Sequence, residues 1–138
     1  VEQCNSKLSS LNYAPIRLHI GNDYQRASKA LTRYDCLIAC SVADGLNLVV
    51  KEGAILNDRN GAIVSTKNVG AIAELGNFCI VAAEATEIGI IESLREAQNL
   101  SSETRRNMSA ELKRHIQEFD SSYWAQNAVA NFKVLEKV

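Results

Sequence analysis

The sequence predicts an α/β domain: a parallel sheet of about four strands, followed by a helical C-terminal tail. Three observations predict it. Short apolar runs alternate with amphipathic stretches through the first part of the chain. Those runs are continuous rather than alternating, as expected of strands covered on both faces. Beyond Thr86 the strand pattern stops, and three helical patterns follow one another.

The elements follow in order. Val1 to Leu8 reads as a helix. "IRLHI" (Ile16 to Ile20) reads as the first buried strand. Asp23 to Tyr34 is helical, with Ala27, Ala30 and Leu31 on one side. "CLIAC" (Cys36 to Cys40) is the second strand, and Leu46 to Leu56 is an apolar helix. "AIVS" (Ala62 to Ser65) is the third strand, a short helix follows Gly70, and "FCIVA" (Phe78 to Ala82) is the fourth strand. The order β-α-β-α-β-α-β predicts parallel strands with right-handed crossovers. In the tail, Thr86 caps a helix with Ile88, Ile91 and Leu94 on its inner face. Ser101 or Ser102 caps the next, where Met108, Leu112, Ile116 and Phe119 form a stripe. Asp120 or Ser121 caps the last, with Trp124, Ala128 and Phe132 one turn apart; the two aromatics are of a kind usually found in a core.

The chain of 138 residues fits one domain with a single core. Its formal charge of -1 argues against non-specific nucleic-acid or membrane binding. No apolar run is long enough to span a bilayer. A start at Val1 without methionine is expected of a piece of a longer protein. Cysteines stand at 4, 36, 40 and 79. Cys36 and Cys40 on one strand would be roughly 13 Å apart, too far for a disulfide or a shared metal. All four read as small buried apolar residues, and reduced thiols suit the cytoplasm. His19 reads as packed within its strand, and His115 as lying at the rim of a helix stripe. Tyr13, Tyr24 and Tyr34 carry no readable role. Neither metal nor cofactor is expected.

Chemistry concentrates in "CSVADGLNLVVKEG" (Cys40 to Gly53). In open parallel sheets, ligands bind outside the carboxyl ends of the strands. This strand ends into that crevice and turns on Asp44-Gly45 into a helix. The amides of Gly45, Leu46, Asn47 and Leu48 are first-turn donors at the positive end of the dipole, a seat for phosphate oxygens. Gly45 lets a ligand approach the backbone. Asp44 beside the anion fits sugar hydroxyls, and Glu52, one turn beyond Leu48, fits a ribose diol. Other readings stand beside these. Asp-Gly before a helix is also a common turn and cap, and a glutamate near a helix start is favoured by the dipole alone. Asn47 also suits capping, and Lys51 a solvated surface charge.

"DGLNLVVKEG" resembles the D-G-[MLF]-N-L-V-x-K-E motif of the trehalose-6-phosphate synthase family of glycosyltransferases. "NYAPIRLHIG", "GAIVSTKNVGAIAEL" and "FCIVAAEATEIGIIESLREAQNLSSETRRNM" resemble further family segments in the same order. The resemblance implies a Rossmann-like sheet, here part of the C-terminal domain of a GT-B enzyme of two such domains. It implies residues 1–138 as a partial nucleotide-sugar-binding domain, with the helical tail at about 86–133. It implies retaining, metal-independent transfer of glucose from UDP-glucose to glucose 6-phosphate, and no DxD pattern occurs in the chain. Asp44 would hold hydroxyls of the donor glucose. Amides of Leu46, Asn47 and Leu48 would contact glucose and diphosphate, and Glu52 the ribose. The loop Gly21 to Asp23 would lie near the uracil.

The same resemblance implies missing parts. The acceptor domain, the Arg and Lys pair for the diphosphate, and the strands between Ile16–Ile20 and Cys36–Cys40 fall outside this chain. Glucose 6-phosphate would therefore be met through the missing domain. Unpaired strand edges imply a homo-oligomer. Ala43 stands where many members carry Arg, Cys40-Ser41 replaces Thr-Pro, and "AAEA" (Ala82 to Ala85) replaces V-N-P-x. These departures leave open a transferase with another acceptor, of the glucosylglycerol-phosphate or validoxylamine-phosphate synthase type, or a non-catalytic regulatory subunit.

Overall fold

A computed structural model of the chain describes residues 1–10 and 13–135, with side chains described as far as residue 130. Its centre is a parallel sheet of β1 (Cys36–Ala39), β2 (Ala62–Thr66) and β3 (Ile80–Ala82), side by side in that order. Cys36 stands opposite Ala62, and Val64 opposite Ile80. The helices are α1 (Glu2–Leu8), α2 (Tyr24–Leu31), α3 (Leu48–Leu56), α4 (Gly70–Leu75), α5 (Glu87–Asn99), α6 (Ser102–Glu118) and α7 (Ser121–Leu135). A 3₁₀ turn, Gly76–Phe78, leads from α4 into β3.

All five residues of β2 are buried, which explains its continuous apolar run. Successive side chains point to opposite faces. Ile63 packs with Val50, Ala54, Ile72, Leu75, Leu112 and Ile116, from α3, α4 and α6. Val64 packs with Ala62, Ile80 and Ala97, under α5. Burying each of the Val, Leu and Ile side chains among these stabilises the fold by about 1.5–3 kcal/mol.

The tail helices begin where side-chain caps place them. Thr86 accepts from the Gly89 amide at 3.2 Å, and Ser101 from the Thr104 amide at 3.0 Å. Asp120 accepts from the amides of Ser122 and Tyr123, both at 2.9 Å. Asp23 caps α2 in the same way, through the Arg26 amide at 3.0 Å. In α6, Leu112 and Ile116 enter one core cluster and Met108 packs against the other.

Several expectations are corrected. Residues 16–20 form no strand, and the sheet has three strands rather than four. A strand needs a neighbour for its ladder, and none lies beside this segment among the described residues. The Asn5 side chain bonds both backbone groups of Ile16 instead, at 2.7 and 2.9 Å. Ile20 is accordingly 89% exposed, and His19 is exposed beside Arg26 rather than packed. Of the expected inner face of α5, Leu94 packs against the Val64 cluster, whereas Ile88 and Ile91 are exposed and the buried positions are Gly89, Ser93 and Ala97. Small residues let the helix sit close on the sheet, and a Cβ at Gly89 would meet the Glu84 carbonyl.

The cysteines are also not uniformly buried. Cys79 is buried, Cys36 and Cys40 are half-buried and Cys4 is exposed; all are free thiols. Burial pushes the Cys79 thiol up to about 12, so it stays protonated and inert at neutral pH. α2 ends at Leu31, short of Tyr34. Tyr34 instead donates its hydroxyl to the Gly53 carbonyl at 3.0 Å, and burial raises its pKa. Trp124 is 73% exposed, so it is no core residue of this chain. The Phe132 side chain lies outside the described residues. No helix among the described residues is long and apolar enough to cross a membrane.

One edge of β1 pairs with β2; among the described residues the other edge has no strand against it. Ile38 of β1 is 50% exposed. Such an edge recruits another chain by main-chain pairing. Sedimentation of the 138-residue chain at high concentration is expected to show dimers or larger species. A monodisperse monomer would contradict this.

Candidate functional site

The segment after β1 crosses the carboxyl edge of the sheet and is tied to the segment after β2. Asp44 and Val69 form an isolated parallel bridge. The Asp44 amide donates to Asn68 O at 3.1 Å, and the Gly70 amide donates to Asp44 O at 2.8 Å. Ala71 then donates to Leu46 O at 2.9 Å. Side chains reinforce this. The Thr66 hydroxyl donates to Ser41 O at 2.6 Å, and Asn68 Nδ2 to Val42 O at 2.9 Å. The backbones run so close that a Cβ on Gly70 would overlap the Gly45 carbonyl. Gly45 has the opposite surroundings: nothing lies within 4 Å of where its Cβ would stand.

Within the turn, Asp44 Oδ1 accepts from the Leu46 amide at 3.2 Å and Oδ2 from Asn47 Nδ2 at 3.1 Å. Asn47 is left-handed, with φ 59°, and stands as the N-cap of α3 without a side-chain capping bond. Asparagine tolerates that conformation better than most residues. Asn47 Oδ1 is buried without a partner. These features delay the helix. It starts at Leu48, not Leu46, and the Leu46 amide is already occupied by Asp44. The amides of Asn47, Leu48 and Val49 have no backbone acceptor at this helix start, while Val50 reaches Asn47 O at 3.3 Å.

The turn thus brings Asp44, Gly45, Leu46 and Asn47 together, and Leu48 opens the helix behind them. Glu52 follows one turn later on α3, half-buried. The loop Gly21 to Asp23 is not brought to this turn. It lines a separate cavity of about 200 Å³ with His19 and Arg26. No group of three or more His, Cys, Asp or Glu among the described residues is placed to hold a metal ion.

Lys51 is not a solvated charge. Its side chain is 24% exposed, and Nζ lies 2.8 Å from Glu74 Oε2 of α4. The other carboxylate oxygen, Oε1, lies 3.3 Å from His115 Nε2 of α6. The His115 ring sits against Phe78 and Phe119, with centroids 5.4 and 4.6 Å away. With Leu46 and Trp124, these charged residues line a cavity of about 610 Å³. The readable signal was helical spacing: Lys51 follows Asn47 by four residues, and Glu74 follows Gly70 by four.

The sequence pattern of glycosyltransferase family 20 matches residues 1–134, nearly the whole chain. The chain belongs to that family. Among relatives, an alpha,alpha-trehalose-phosphate synthase [UDP-forming] of Pichia angusta is 29% identical over 131 residues. That alignment covers 94% of this chain and 27% of the relative. A solved E. coli trehalose-6-phosphate structure bound with UDP-2-fluoro glucose has TM-score 0.82 at 24% identity. It covers 95% of this family 20 chain, which spans 30% of it. A Burkholderia xenovorans alpha,alpha-trehalose-phosphate synthase (UDP-forming) in complex with glucose-6-phosphate has TM-score 0.82 at 21% identity, with shares of 96% and 30%. At these identities the structures show a common fold. The family 20 chain therefore spans under a third of the length of these relatives.

The two glycines make opposite predictions. Gly70→Ala forces the clamp apart and is expected to destabilise the chain by about 1–3 kcal/mol, as overpacking does. Gly45→Ala meets open space and is expected to cost under about 1 kcal/mol. Urea denaturation of both variants checks this, and equal losses would contradict the clamp.

Proposed function

We propose that this chain is the donor-binding C-terminal part of a retaining hexosyltransferase that moves glucose from UDP-glucose to glucose 6-phosphate. The observation that carries the reading is the clamped Asp44–Asn47 turn ahead of α3 in a family 20 chain. The relatives named above support the substrate classes.

On this reading, the diphosphate lies at the start of α3, against the amides of Leu48 and Val49. Asp44 holds hydroxyls of the donor glucose. A carboxylate offers about four acceptor sites, and Leu46 and Asn47 occupy one on each oxygen. The remaining sites are available to a sugar, and the unpartnered Asn47 Oδ1 adds another acceptor. Gly45 leaves the approach clear. Glu52, one turn along, accepts from the ribose diol. Because Asp44 occupies the Leu46 amide, the ligand contacts fall on the amides of Asn47, Leu48 and Val49.

Magnitudes limit what this part does alone. A helix-start interaction contributes about 0.3–1 kcal/mol at an exposed site. Enzymatic rate enhancement requires roughly 8–23 kcal/mol. Further charge on the departing diphosphate and a positioned acceptor must come from outside these residues. The chain is thus one part of a GT-B catalyst, with the acceptor met on another domain. The free thiols support a reducing, cytoplasmic setting.

The test is transfer itself. The 138-residue chain alone is expected to form no trehalose 6-phosphate from UDP-glucose and glucose 6-phosphate. In the whole protein that carries it, Asp44→Ala is expected to remove most transfer, about tenfold or more. Retained activity would reject the role of Asp44, and unaided transfer by the chain would reject the division of labour. For Glu52, calorimetry separates the ligands. Glu52→Ala is expected to weaken UDP binding by about 1.5–3 kcal/mol and leave inorganic diphosphate nearly unchanged. Equal losses would reject the ribose contact.

A further inference from the structure

We propose that Glu74 is a positioning residue for the donor-binding turn, and that His115 makes its hold on Lys51 respond to protonation. The proposal rests on reading the Asp44 turn as the donor site.

α3 and α4 begin side by side. The turn leading into α3 is joined to the start of α4 through backbone: Gly70 N to Asp44 O at 2.8 Å, and Ala71 N to Leu46 O at 2.9 Å. One turn further along each helix they are joined again, by Lys51 Nζ and Glu74 Oε2 at 2.8 Å. A single attachment leaves one helix free to tilt against the other. Two attachments one turn apart fix the tilt, and with it the direction of the free amides at the start of α3. Both side chains are only partly exposed, at 24% and 35%, so solvent screens the pair less than a surface bridge.

His115 supplies the variable. Its Nε2 is buried and lies 3.3 Å from Glu74 Oε1, but out of hydrogen-bond alignment, so it has no partner. Phe78 and Phe119 hold the ring in that place. With a neutral ring, Glu74 is engaged by Lys51 alone. With an imidazolium, the carboxylate is shared between two cations. The other charged groups nearby are committed elsewhere. Asp120, in the same cavity, caps α7. Glu111 and Glu118, one turn either side of His115 on α6, are exposed and pair with Arg114. The phenol of Tyr123 also lines the cavity.

The sign follows. Protonated His115 draws on Glu74 Oε1 and loosens the hold of the carboxylate on Lys51, so the turn ahead of α3 is less firmly fixed. Donor binding is therefore weaker on the acid side.

UDP-glucose is the suitable probe, because its diphosphate carries no group titrating in the neutral range. Its Kd is measured on the whole protein carrying this chain at about pH 5.5 and about pH 8, the range in which imidazole changes charge. The wild type is expected to bind about threefold more weakly at the lower pH. His115→Gln is expected to keep the wild-type value at the higher pH and lose the difference. Glu74→Gln is expected to lose the difference and to bind more weakly at both values. A merely structural role would lower stability without removing the pH dependence. Independently of any ligand, protein labelled with ¹⁵N-leucine is titrated by NMR. The Leu46 and Leu48 amides are expected to shift with the midpoint of the His115 ring signal, and to stop doing so in His115→Gln. The same pH slope in wild type and His115→Gln, or leucine amides indifferent to the ring, would overturn the proposal. Amides that follow the ring in a protein without saturable UDP-glucose binding would support the coupling and reject the donor reading instead.

Discussion

Everything at the carboxyl edge depends on a few backbone hydrogen bonds between two loops. Asp44 pairs with Val69 beyond the ends of β1 and β2, as if the parallel ladder resumed for one step. This holds Gly45 and Gly70 in contact at a distance that excludes any side chain on Gly70. The turn on Asp44, the left-handed Asn47 and the late start of α3 are all read from that clamp outward. A helix start presents free amides wherever it lies. The clamp sets where these amides stand relative to the Asp44 carboxylate.

The site sits at a border in the packing. On one side of it, β2 and β3 are covered by helices on both faces, and Val64 and Leu75 are fully buried. On the other, β1 has an open edge, and residues 16–20 are exposed with their apolar side chains uncovered. The covered half holds the turn firmly in place. The uncovered half carries apolar surface that a monomeric domain of this size has no reason to leave in water.

The ionic strut between Lys51 and Glu74 connects that rigid half to the turn. It reaches from α3 to α4, and through Glu74 to His115 on α6. A residue of the tail is thereby linked, through Glu74 and Lys51, to the helix that follows the Asp44 turn. Fixed dipoles and backbone bonds do not respond to pH in the neutral range, whereas an imidazole does.

What the sequence by itself determined is what local physics controls. Burial on both faces writes a continuous apolar run, so β1, β2 and β3 were legible from "CLIAC", "AIVS" and "FCIVA". Caps act within three residues, so Thr86, Ser101 and Asp120 marked their helices correctly. The candidate turn was legible as a set of residue types between a strand and a helix. Only tertiary structure decided the rest. "IRLHI" has a strand's composition but no neighbour to complete its ladder, and composition cannot supply one. The rotation of α5 followed from close approach at Gly89, Ser93 and Ala97 rather than from its isoleucines. α3 began two residues later than expected, because Asp44 captured the Leu46 amide in a turn clamped from β2. Lys51 and Glu74 stand 23 residues apart, and the contact depends on how two helix starts are set side by side. A side chain's type and its near neighbours are written locally in the chain. Its partner across the fold depends on how distant segments pack, and that arrangement exists only once the sheet has formed.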